Sequence, residues 1–265
     1  VSEAEYRIMY SPFETKEGYL TKTKSACEGL QSAEKNSNGI KGRLAVSIHR
    51  DGDFETQYEW LKEFMQKEEV IRKYLVGIDF CYIEEGYPPK DKKVFFERIL
   101  SDNKKDPTSA LSILYHVGES FDDKSPKSAV RWILEASLYG AHRLGHCLAL
   151  GLDPSIFSKS QYNEKISESI DQLNFEINNY DEIRKFGNLR SKDIITEEIQ
   201  QLKKRPLNEI ANIKIDEIYL NELKAFQDYS MEEIRKKNTI IESCPTSNLI
   251  IGMIENEKSH PMMRF

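Results

Sequence analysis

Five short runs of apolar, β-branched or aromatic residues recur along the first half of the chain, and their spacing limits the fold more than any other feature. They lie at residues 6–10, 44–48, 76–80, 112–116 and 143–147. Successive runs are roughly 30 to 40 residues apart, so each gap has room for one helix and its turns. The helix before the fifth run is well marked. Ser125 stands as its cap, Pro126 lies in its first turn, Val130, Ile133, Leu134 and Leu138 share one face, and Gly140 stops it. Strand, helix, strand at this period is a βα repeat. A chain of 265 residues built this way is α/β, and the spacing fits a (β/α)8 TIM-type barrel, whose eight units average about 250 residues. A doubly wound sheet is the alternative.

The rhythm breaks after Asp153-Pro154, because the next strand-like run, at residues 239–244, comes long after the fifth. Residues 158–238 are rich in Glu, Lys, Asn and Ile, and read as a charged helical insertion between barrel units at 1–157 and a last strand and helix at 239–265. Within it Ile166, Ile170, Leu173, Ile177, Tyr180 and Ile183 form a stripe spaced by three and four. The stripe needs a partner: the helices of the chain's own barrel, or a second copy in a self-assembling arm. Arg205-Pro206 separates two helical pieces.

Composition removes several function classes. A net charge of −6 gives no basic stripe for a phosphate backbone, so no nucleic-acid partner is expected. No run approaches the ~18 apolar residues of a membrane span, and the first residues lack the pattern of a signal peptide. The chain reads as cytoplasmic and globular. Cys27, Cys81, Cys147 and Cys244 contain no Cys-x-x-Cys pair, so reduced thiols are expected, with no disulfide framework or zinc knuckle.

Polar residues at strand ends carry the chemistry. Asp79 ends the third run, His116 the fourth, and His146 falls at the end of the fifth; Glu119 follows His116 in Tyr115-His116-Val117-Gly118-Glu119. Charged residues at three successive strand ends are poor core patterning. They fit the C-terminal rim of a barrel, where metal-assisted hydrolases keep their histidines and carboxylates.

These segments resemble the adenosine and AMP deaminases of the metal-dependent hydrolase superfamily. Arg7-Ile8-Met9-Tyr10-Ser11-Pro12 is similar to the third-strand "RYSP" of that family, Gly77-Ile78-Asp79 to "GID", and His116-Val117-Gly118-Glu119 to "HAGE". Arg143-Leu144-Gly145-His146 is similar to "RIGHG", Glu242-Ser243-Cys244-Pro245-Thr246-Ser247-Asn248 to "EVCPTSN", and His260-Pro261 to a terminal "HP". The resemblance implies hydrolytic deamination of a 6-aminopurine nucleoside or nucleotide with Zn2+ as cofactor. It makes His116 a zinc ligand and Glu119 the proton donor to purine N1, a carboxyl that burial would keep protonated. His146 becomes the residue that orients and deprotonates the attacking water. Asp79, Gly118, Tyr82 and Ser247 stand behind the ligands or against the substrate, and Ser247 with Asn248 braces its loop.

Departures from the family are informative. Tyr82 replaces a glycine whose backbone contacts the purine, and Cys147 replaces the last glycine of "RIGHG". No His-x-His pair occurs, and no Ser-Asp-Asp motif follows. About six of eight strands are accounted for, so the expectation is an excerpt of a longer polypeptide, or a chain completed by another segment. The insertion and residues 81–90 resemble the large bacterial adenosine-deaminase-like proteins of the RADAR anti-phage systems, which implies a homo-oligomeric shell acting in phage defence. A non-catalytic assembly or regulatory subunit that keeps the fold, and a related amidohydrolase, are the other readings.

Overall fold

The computed structural model describes residues 2–37, 39–159, 161–251, 254 and 256–265. Its strands are β1 (Glu3–Met9), β2 (Lys41–His49), β3 (Leu75–Cys81), β4 (Ser112–Val117), β5 (Arg143–His146), β6 (Tyr162–Lys165), β7 (Ile210–Ile213) and β8 (Ile240–Glu242). Six of them form one parallel sheet in the order β1-β2-β3-β4-β5-β8, and β6 pairs with β7 separately. Each run marked as a strand in the sequence is a strand of that sheet. The fold is α/β, with six strands of a TIM-type barrel.

Chain contacts divide the molecule into two units, Val1–His116 with Tyr139–Arg143, and Val117–Leu138 with Leu144–Phe265. In the first, β1 to β4 alternate with α1 (Lys16–Asn36), α2 (Phe54–Lys67), α3 (Glu69–Tyr74) and α4 (Lys93–Lys105). β2 and β3 are buried on both faces, as parallel strands covered by helices should be, and Leu44, Val46, Ile48, Ile78 and Phe80 are all fully buried. Register runs Ile8↔Val46, Val46↔Ile78 and Ile78↔Ile113, which keeps one set of side chains on one face. Helix starts follow capping rules: Thr15 accepts from the Gly18 amide and Asp53 from the Thr56 amide. An aromatic layer of Phe54, Phe80, Phe95, Phe96 and Tyr115 packs edge to face and tilted beneath α4.

The second unit begins with α5 (Pro126–Tyr139), where the Ser125 hydroxyl accepts from the Ser128 amide at 3.3 Å and its carbonyl from Ala129 at 2.9 Å. After β5 come α6 (Leu148–Gly151), β6, α7 (Ile166–Asn178), α8 (Tyr180–Ile183), α9 (Lys192–Leu202), β7, α10 (Glu217–Lys236), β8 and α11 (Pro245–Ile251). The apolar stripe of α7 finds its partner within residues 158–238 instead of on the barrel's helices: Ile166 and Ile170 pack with Ala211, and Leu173 packs with Ile195 and Ile199. An antiparallel pair closes it, with Tyr162 opposite Ile213 and Lys165 opposite Ile210. These two strands are four residues each, too short and too polar for alternation to reveal them beside the stripe. Gln227 of α10 anchors the unit by donating to the carbonyls of Ala149 and Leu152 at 2.8 and 2.9 Å. Among the described residues no helix is long and apolar enough to cross a membrane.

Candidate active site

In the first unit, strand register decides which side chains meet. Asp79 lies opposite Ser47 on one side and Leu114 on the other. Side chains alternate along a strand, so His116, two residues past Leu114, shares the face of Asp79. His116 Nδ1 is 2.9 Å from Asp79 Oδ1, Ser47 Oγ donates to Asp79 Oδ2 at 3.0 Å, and Arg7 Nη1 lies 4.0 Å from the same oxygen. The Asp79 side chain is 1% exposed and that of His116 22%. Burial alone would raise the Asp79 pKa; the hydrogen bond and charge of His116, with Arg7 and Ser47, outweigh it and leave the carboxyl below its ordinary value. Asp79 is therefore a carboxylate, and His116 presents it with Nδ1.

Arg50 fixes the end of β4 from behind. It is 3% exposed, donates Nη2 to the carbonyls of His116 and Phe80, and sets its guanidinium over the Tyr115 ring at 5.0 Å. Ser47 and Arg50 hold Asp79 and the end of β4, and neither stands out in the sequence as a candidate. Ser47 left a faint signal, a hydroxyl inside the apolar run 44–48; Arg50 left none, since a loop arginine looks like a solvated charge. Tyr82 follows β3 with φ 73, is 54% exposed, and packs its ring 4.5 Å from that of His49. Positive φ is costly for a side chain with a Cβ and easy for glycine. The backbone at Tyr82 keeps the conformation that a glycine would adopt.

The second unit holds Glu119 and His146. Gly118 has φ 70, and a Cβ there would come within 2.4 Å of Ile133 Cδ1, so any other residue is strained and Ile133 must shift to admit it. Its carbonyl accepts from Ala149 at 3.4 Å, and that of Val117 from Cys147 at 3.0 Å. This turn carries Glu119 Oε1 to 3.4 Å from His146 Nε2. His146 and Cys147 both have positive φ, 66 and 53, where the fifth strand turns. The hydroxyl-bearing Ser247 is half-buried on α11, and the residue that reaches His146 is its neighbour Asn248. Asn248 is fully buried; its amide nitrogen lies 2.8 Å from His146 Nδ1 and its oxygen 3.2 Å from His260 Nε2.

Site residues thus come together as two sets, Asp79 with His116 and Glu119 with His146, Asn248 and His260. A zinc site needs about four ligands. Among the described residues no group of three or more His, Cys, Asp or Glu is placed to hold a metal ion. His116 has the support a ligand needs, a carboxylate holding its second nitrogen, but the described residues do not complete a zinc site.

No family model matches the chain, and no curated protein matches it. Among solved structures it is similar to the adenine deaminase of Arthrobacter aurescens, with 16% identity and a TM-score of 0.38 over 56% of this chain. The matched region spans 40% of that protein's length.

Proposed function

We propose that the protein serves in hydrolytic deamination of a 6-aminopurine nucleoside or nucleotide, with His116 as one ligand of a zinc ion. One observation carries the reading: the buried carboxylate of Asp79 takes Nδ1 of His116 at 2.9 Å, which makes Nε2 the nitrogen offered to a metal. A histidine kept for packing has no need of an ionised, buried partner.

The backbone supports the same reading. Two positions where this sequence departs from a glycine of the deaminase pattern, Tyr82 and Cys147, both have left-handed φ. Such a backbone costs about 1–2 kcal/mol per residue with a Cβ, and it is retained where the resemblance expects it. In the reaction water adds to C6 of the purine and ammonia leaves. Glu119 supplies the proton that the ring nitrogen takes up, work that requires a positioned carboxyl and contributes on the order of 10²–10⁴ in rate. Zinc, when bound, would supply Lewis-acid activation.

The test is metal content and nucleoside conversion measured together in the protein purified from its own cells. His116→Ala is expected to lower zinc occupancy several-fold while His49→Ala leaves it unchanged. Equal zinc in wild type and His116→Ala contradicts the ligand assignment. Absence of zinc and of ammonia release from adenosine, deoxyadenosine and their phosphates in wild type favours a scaffold that keeps the fold without the chemistry.

A further inference from the structure

His260, Asn248 and His146 form a chain of hydrogen bonds whose direction is fixed from one end. The Met262 amide donates to His260 Nδ1 at 3.1 Å, and a backbone N–H can only donate. His260 Nδ1 must accept, so a neutral His260 carries its proton on Nε2. Burial lowers the His260 pKa, which favours that neutral form. Its Nε2–H then points to Asn248 Oδ1 at 3.2 Å and to Ser243 Oγ at 3.4 Å. With its oxygen committed, Asn248 turns its NH2 toward His146 Nδ1 at 2.8 Å. An NH2 also can only donate, so His146 Nδ1 accepts and its proton sits on Nε2, the nitrogen 3.4 Å from Glu119 Oε1. All three side chains are buried, with Asn248 0% exposed and His260 and His146 5% each, so bulk water does not compete for these bonds.

We infer that Asn248 and His260 are positioning residues that lock His146 as a hydrogen-bond donor toward Glu119 and the reacting oxygen. A base needs a lone pair on the nitrogen that faces its proton, and here that nitrogen is already protonated. His146 therefore stabilises developing negative charge instead of taking the water's proton, the role that the sequence resemblance implies for it. No bond is made or broken by Asn248 or His260. The catalytic part of this assignment rests on the deaminase reading above; the tautomer itself does not.

The experiment is two-bond 1H–15N correlation on protein with 15N-labelled histidine near neutral pH, with resonances assigned by their loss in His146→Gln and His260→Gln. Both rings are expected to show a pyrrole-type Nε2 and a pyridine-type Nδ1; a protonated Nδ1 on either ring overturns the inference. Asn248→Asp places only acceptors beside His146 Nδ1. Its ring is expected to become doubly protonated and to stay so to higher pH than in wild type, and an unmoved His146 signal in a folded Asn248→Asp protein also overturns it. In the active enzyme the same variant is expected to lower kcat on the order of 10–100-fold with KM little changed. Loss confined to KM contradicts the catalytic part alone, and a wild type without deaminase activity contradicts the deaminase reading while the spectra still decide the tautomer.

Discussion

Two histidines are held at the ends of adjacent strands by opposite means. His116 leans on Asp79, an ionised carboxylate buried among Ser47 and Arg7. His146 leans on Asn248, a neutral amide whose direction is set by His260. A carboxylate makes an imidazole more basic and more strongly ligating, which suits a metal ligand. An amide fixes a tautomer without adding charge, which suits a ring that must present one N–H through a reaction. The same residue type is held by a charge in one place and by a neutral amide in the other.

That contrast gives unequal costs. His116→Ala leaves the Asp79 carboxylate buried without its main partner, and about 3 kcal/mol of stability is expected to be lost in urea unfolding. Asn248→Ala strands no ionised group and is expected to cost less, about 1–3 kcal/mol. Equal losses would dissolve the distinction between charged and neutral support. Gly118→Ala probes the turn between the two histidines: the forced positive φ and the approach to Ile133 are expected to cost about 1–3 kcal/mol, read as a lower urea midpoint at unchanged slope. Tyr82→Gly goes the other way. It relieves a left-handed backbone on an exposed side chain, and a gain of up to about 1 kcal/mol is expected; a loss would show that the ring's packing on His49 outweighs the strain.

The strands of the sheet were legible because each combines β-branched or aromatic residues with a helix-length gap. His116, Glu119 and His146 stand out in the sequence as candidates because polar residues at or just past strand ends break core patterning. The supports were harder to read. Asn248 and His260 lie 102 and 114 residues after His146, a separation that leaves no local period, and a fully buried amide looks in sequence like any turn asparagine. β6 and β7 escaped for a related reason, since their pairing partner lies across α7 to α9 and the stronger helical stripe between them dominates the pattern.

We propose that a carboxyl at Glu119, set beside a donor His146, delivers the proton in purine deamination. Ammonia release from adenosine by wild type and by Glu119→Gln, each at measured zinc content, addresses it most directly. The expected result is equal zinc and turnover lower by at least about 10²-fold in the variant. Equal turnover at equal zinc would remove Glu119 from the chemistry and the deaminase account with it.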